Sequence, residues 1–280
     1  MKLGKINRLK VGRISPFGTY LVDDEQNEVI LPDNYESDVE LDELIDVFIY
    51  LNSEDQYAAS IEQPLIETNK FAYLQVKDVN RVGAFMDIGI SKDLLVPYAE
   101  QTEEMRVGNS YLVFMFVDEE TDRLVGSCKE NEFVFFDEID VKSGDEATLL
   151  PYRKTDLGVH CIVNNLYKGL IFHSDIHKDF DLGEQIKGYV KEIREDGKID
   201  ILLEPLGYRQ SIDLTSEIIL TKLHEANGQL SFTDKSSPES IKEHFGLSKK
   251  AFKRGIGNLY KQKKIAILKE SIRIIDKKSK

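Results

Sequence analysis

The chain has 280 residues, 41% of them apolar, and a formal net charge of −13. That length exceeds one small domain, and the apolar share is ordinary for folded domains that bury cores. No run of ~18 apolar residues is present to make a transmembrane helix. The basic start MKLGKINRLK lacks the apolar stretch of a secretory signal, and two cysteines, Cys128 and Cys161, make no CxxC. A reducing, cytoplasmic setting without disulfide or zinc framework is expected.

Residues 1–62 read as five short strands. LKVGRISPFGTYLV (Leu9–Val22) is a glycine-containing hairpin, followed by VILP ending at Pro32, LIDVFIYLN and QYAAS. Residues 63–134 repeat the pattern in LQVKDVNRVGAFMDIG (Leu74–Gly89), LLVP ending at Pro97, SYLVFMFVD and RLVGS. Residues 135–213 repeat it again in LPYRKTDLGVHCIV (Leu150–Val163), GLIF ending at Phe172, QIKGYVKEI and KIDIL. The three units align on Gly18, Gly83 and Gly158. Period-2 alternation with Gly, Asp, Asn and Pro turns argues that all three are β. Five short strands with a glycine in the first hairpin read as a small Greek-key barrel. The glycine lets the strand coil at a barrel corner where a side chain would clash.

Residues 214–280 change character. SEIILTKLHEANG reads as a helix capped at Ser216 and stopped at Gly228. SSPESIKEHFG opens on Ser237-Pro238 and stops at Gly246. LSKKAFKRGIGNLYKQKK is capped at Ser248, with Phe252, Ile256 and Leu259 on its inner face. The final stretch reads as a hairpin turning at Lys269-Glu270. Charge is segregated as well. From Thr215 onward 15 Lys/Arg stand against 7 Asp/Glu, a balance of +8 that leaves −21 on the rest. A segment so unlike its neighbours points to an anionic partner.

The middle unit resembles the S1 RNA-binding domain, a variant of the OB fold, in VGAFMDIG, LLVPYAE, VGNSYLVFMFVD and RLVGSCK. The third matches in GVHCIV, KGLIFHSDI and LGEQIKGYVKEI. The first, the most divergent, matches in PFGTYLV and VILP. Three helices and a hairpin resemble a winged helix-turn-helix. The stretch from Phe232 to Ile265, after three such barrels, is similar to the conserved virulence factor B family of bacterial RNA-binding proteins. The expected fold class is mainly β with a C-terminal α+β unit: three tandem S1-type, five-stranded OB barrels, then a winged helix. The resemblance implies RNA binding and an influence on virulence-gene expression at the RNA level.

In such barrels, aromatics on strands two and three stack on unpaired bases while Lys and Arg meet phosphates. Phe17 and Tyr20 match the stacking positions of the first unit, Phe85 with Val82 those of the second, and His160 with Leu157 those of the third. The family's usual histidine at the end of strand three is replaced by Pro32, Pro97 and Phe172. The basic place on the closing strand holds Gln56, Arg123 and Lys198. Lys10, Arg13, Lys77, Arg153 and Lys154 lie on or beside the first strands. Each unit thus keeps a partial site, which favours shared binding along one strand. On the C-terminal helix, Lys249, Lys250, Lys253, Arg254, Lys261 and Lys264 form a basic stripe, with Lys269 and Arg273 on the hairpin.

No phosphate loop, nucleophile elbow or zincin motif occurs, so no enzyme, metal or cofactor is expected. His173 and His177, four apart, sit between a strand and a loop and read as no metal pair. The expected partner is single-stranded RNA. Duplex nucleic acid on the winged helix, as in a DNA-binding transcription regulator, is the alternative. No membrane partner is expected, and short linkers suggest an extended monomer.

Overall fold

The computed structural model describes residues 1–32, 39–176, 178–205 and 207–275, with backbone alone over 208–213. By packing, the chain divides into two units, Met1–Leu203 and Glu204–Lys280.

The first unit holds three closed barrels. The first is built from β1 (Ile6–Ser15), β2 (Gly18–Val22), β3 (Glu28–Pro32), β4 (Leu44–Leu51) and β5 (Tyr57–Ser60), in the order β1-β2-β3-β5-β4. The second uses β6 (Lys70–Asn80), β7 (Gly83–Met86), β8 (Leu94–Pro97), β9 (Ser110–Val117) and β10 (Leu124–Ser127). The third uses β11 (Glu146–Lys154), β12 (Gly158–Val163), β13 (Tyr167–Phe172), β14 (Ile186–Ile193) and β15 (Ile199–Leu202). All three share one order, with strands three and five paired in parallel to close the barrel. This is the OB-type Greek key.

Even the irregularity recurs. The ladder between strands one and two shifts register between Val11 and Arg13, Val76 and Asp78, and Pro151 and Arg153. A bulge at one fixed place bends the long first strand around the barrel. The hairpin glycines have the role their position suggests. A Cβ on Gly83 would lie 2.2 Å from the Val96 carbonyl oxygen, and one on Gly158 would lie 2.1 Å from that of Ile171. Strand three passes so close that only a hydrogen fits.

The barrels are packed together. Phe48, Tyr50 and Ala58 of the first join the apolar cluster around Leu74, Met86 and Met115 of the second. Phe71, Leu112 and Phe114 of the second meet Leu150, Tyr152 and Ile162 of the third. Across that seam the Asn165 side chain accepts from the Phe71 backbone N–H at 2.7 Å and donates to the Asn69 carbonyl at 3.0 Å. The Lys168 ammonium reaches Glu130 at 2.9 Å, both side chains being 11% exposed.

The second unit contains α1 (Tyr208–Glu225), β16 (Gln229–Leu230), α2 (Pro238–Phe245), α3 (Lys249–Lys261), β17 (Ile265–Ile267) and β18 (Ile272–Ile274). Its three strands run in the order β16-β18-β17. Ser237 and Ser248 cap α2 and α3 as expected, accepting from the Ser240 and Ala251 backbone N–H groups at 3.2 Å. Ser216 does not cap α1, which begins eight residues earlier. The hydroxyl is buried mid-helix and accepts from the Asn258 side chain of α3 at 3.1 Å, so helix packing claims it. The strand β16, absent from the sequence reading, is two residues long and exists only through its pairing with β18. None of the described helices is long and apolar enough to cross a membrane.

Two glycines of α3 make a testable contrast. A Cβ on Gly255 would meet Ile219 at 2.6 Å and Thr215 at 2.8 Å, whereas one on Gly257 meets nothing within 4 Å. Gly257→Ala is expected to stabilise the unit by about 0.5–1 kcal/mol through helix propensity. Gly255→Ala, of equal propensity gain, is expected to destabilise it by about 1–3 kcal/mol through overpacking. Thermal unfolding of the two variants checks the signs.

Candidate nucleic-acid interface

Strand two of each barrel alternates between core and surface. In β2, Thr19 and Leu21 are buried and Tyr20 between them is half-buried. Phe85 stands likewise between buried Ala84 and Met86, and His160 between buried Val159 and Cys161. One outward position therefore recurs three times. Across the ladder it faces Arg13, Asp78 and Arg153 on the first strands and Ile30, Leu95 and Leu170 on the third.

On the first barrel, Phe17 at the hairpin tip is 80% exposed. One side of the Tyr20 ring is covered by Arg13, whose Cζ lies 3.7 Å from the ring centroid. Arg13 also lies 3.9 Å from Glu28, and Lys10 is paired with Asp42 at 3.0 Å. Phe17 thus offers a bare ring, and Tyr20 offers one already stacked with a cation.

On the second barrel, Phe85 and Val82 line a cleft of about 600 Å3 with Leu95 and Pro97. Its opposite wall is Tyr50, Asn52 and Asp55 of the first barrel. Arg123 joins the two walls, with its guanidinium 2.6 Å from Asp55. Strand alternation alone puts Phe85 on the face, and only packing puts the neighbouring barrel beside it. Lys77 lies between Asp93 at 3.0 Å and Asp87 at 3.3 Å, and the hydrogen bond to Asp93 chiefly raises its pKa.

On the third barrel, burial and then the charges of Lys168 and Arg153 hold the His160 imidazole below its ordinary value, which keeps it neutral at pH 7. Phe172 is half-buried, with Lys191 Nζ 5.6 Å and Arg194 Cζ 5.5 Å from its ring centroid. No motif marks these two cations, which sit on and just after strand four and reach Phe172 only because the barrel closes. Lys198 pairs with Asp196 at 2.6 Å, and Arg153 lies 3.9 Å from Glu103. His173 lies in a short 3-10 turn with Nε2 2.8 Å from the Thr155 carbonyl; His177 lies outside the described residues.

Charge separates the two units. Lys10, Arg13, Lys77, Arg123, Arg153 and Lys198 on the barrels each sit beside a carboxylate. These faces offer rings in a charge-balanced setting. In the second unit, Phe252, Ile256 and Leu259 turn inward, while Lys250, Lys253 and Lys261 on α3 and Lys264 just beyond it are exposed. Lys249 and Arg254 are half-buried, so the solvated stripe is narrower than the sequence suggests. Lys253 lies 3.6 Å from Asp234, and Lys269 and Arg273 are exposed on the hairpin.

Three OB barrels with outward rings, followed by a winged helix with a basic stripe, define a protein assembled from nucleic-acid-binding modules. Comparison agrees: residues 3–62 and 70–129 match the S1 domain family, and residues 217–274 match the CvfB-like winged helix domain. The S1 match takes in the first barrel, for which the motifs gave the weakest expectation. Conserved virulence factor B of Staphylococcus aureus (strain N315) is 31% identical over 242 residues, covering 84% of this chain and 80% of that protein. The Staphylococcus saprophyticus protein of the same name is 30% identical over 254 residues, covering 87% and 84%. The uncharacterized protein YitL of Bacillus subtilis (strain 168) is 28% identical over 274 residues, covering 95% and 91%. A crystal structure of a multidomain protein with nucleic acid binding domains from Streptococcus pneumoniae aligns over 98% of each chain, at 22% identity and a TM-score of 0.41. The chain belongs to the conserved virulence factor B family.

Proposed function

We propose that this protein is a non-enzymatic binder of single-stranded RNA that regulates gene expression, virulence genes included, after transcription. Bases stack on the barrel faces, and the winged helix adds electrostatic grip. The observation that carries the reading is the outward register of Tyr20, Phe85 and His160, with Phe17 standing bare beside the first. Stacking needs unpaired bases, which a single strand supplies and a duplex withholds. The acidic balance of the barrels, with their face cations paired to carboxylates, also argues against a backbone-driven duplex site there. Membership of the family supports the regulatory role.

The exposed lysines of α3 favour a second reading, in which the winged helix holds duplex DNA. A salt titration separates the two. Tight binding of a single-stranded RNA with a shallow salt slope is expected, and weaker, steeper binding of a duplex DNA of equal length. Lys250→Ala and Lys253→Ala are each expected to reduce the RNA slope of log K against log salt by about 0.7. Preferential duplex binding that these variants abolish would overturn the RNA reading.

A further inference from the structure

Between the second and third barrels lies a groove of about 860 Å3 with an aromatic floor. Phe133 stacks on Phe114 at 4.2 Å between centroids and meets Phe116 at 5.5 Å, which fixes the floor. Phe135 and Leu166 stand above it, 54% and 41% exposed. This exposure is held in place: the Phe135 backbone N–H donates to the Leu166 carbonyl at 2.9 Å, and Phe135 pairs with Tyr167 as a short parallel bridge.

The rim is acidic. Glu100, Asp118, Glu119, Glu120 and Glu132 line the groove, and among the described residues no Lys or Arg does. Lys129 pairs with Glu100 at 3.2 Å, and Asp118 accepts from the Glu120 and Thr121 backbone N–H groups. Glu119, Glu120 and Glu132 remain exposed. Phosphates are repelled by such a surface, so nucleic acid bound elsewhere leaves it open. An apolar floor inside a polar, one-signed rim is the layout of a protein-docking site.

We propose that this groove docks a basic protein segment, a Lys/Arg-rich stretch with interspersed aliphatic or aromatic side chains. Its guanidinium groups lie over the Phe rings while meeting the rim carboxylates, and its apolar side chains cover Phe135 and Leu166. Bound RNA and a basic protein would then occupy surfaces of opposite character on one chain.

The test uses the full-length protein and a short fluorescent peptide of alternating arginine and leucine, read by anisotropy. An alternating glutamate–leucine peptide serves as control. Saturable binding of the basic peptide alone is expected. Phe135→Ser should weaken it roughly tenfold or more, as for a central anchor. A variant combining Glu119→Gln, Glu120→Gln and Glu132→Gln should weaken it similarly while keeping every apolar contact. The remote set Asp24→Asn, Glu25→Gln and Glu40→Gln removes as much charge and should leave binding unchanged. Single-stranded RNA affinity should not move in any of them. Equal losses in the remote and groove sets would overturn the proposal as non-specific attraction to an acidic chain. RNA affinity falling in Phe135→Ser would make the groove a nucleic-acid surface instead. Self-association of the wild type that Phe135→Ser abolishes would assign it to a second copy.

Discussion

Replacing Phe17 by alanine is expected to weaken single-stranded RNA binding by about 1–3 kcal/mol, or roughly 5- to 150-fold, without changing stability. The ring is 80% exposed, so the folded state loses almost no packing with it. Whatever affinity disappears was stacking. Phe85→Ala should cost a similar factor. That residue is half-buried in the cleft facing Asp55 and Tyr50, so its melting temperature is measured alongside. The two rings lie on different barrels, and their losses should add in free energy. A folded double variant with wild-type RNA affinity would sink the stacking reading. The steady drop of the single variants should also differ from that of Lys250→Ala, because stacking is insensitive to salt and phosphate contacts are not.

The second large effect concerns stability. Glu130→Ala is expected to destabilise the barrel unit by about 3–5 kcal/mol, because it leaves the Lys168 ammonium buried with Asn131 as its remaining side-chain partner. Urea unfolding should show a lower midpoint. Combining Glu130→Leu with Lys168→Met should recover most of the loss, since an apolar pair carries no desolvation penalty. A loss below about 0.5 kcal/mol in the single variant would mean that water screens the pair.

The same pair sets an acid limit. Burial alone would raise the Glu130 carboxyl, but the hydrogen bond and charge of Lys168 outweigh it and the net direction is down. Its contribution is therefore complete above the ordinary value of 4.5 and is lost as pH falls through the lower folded value. His160 acts with the same sign earlier. Folding holds it neutral while the unfolded chain takes up a proton below 6.5, so stability begins to fall there.

Much of this molecule is legible before any coordinates. Alternation along Gly18–Val22, Gly83–Met86 and Gly158–Val163 is a local property, fixed because a strand turns successive side chains to opposite faces. It was enough to put Tyr20, Phe85 and His160 at one equivalent place. Gly83 and Gly158 mark where strand three passes too close for a side chain. Ser237 and Ser248 announce their helices because a cap bonds to a backbone N–H only two or three residues ahead. Periodicity likewise separates the lysines of α3 from Phe252, Ile256 and Leu259.

What the chain order cannot express is what lies across a gap. Ser216 resembles a cap until α3 brings Asn258 to its hydroxyl. Arg123 resembles a free phosphate ligand until Asp55, 68 residues away, meets it. Lys77 loses its freedom to Asp87 and Asp93 in the same way. Lys191 and Arg194 reach Phe172 only through barrel closure, and the acidic, Phe-floored groove exists only because two barrels share a seam. Local spacing determined the modules, their order and their outward rings, because backbone periodicity acts over a few residues. Tertiary packing decided which charges stay available, because Coulomb attraction depends on distance in space and not along the chain.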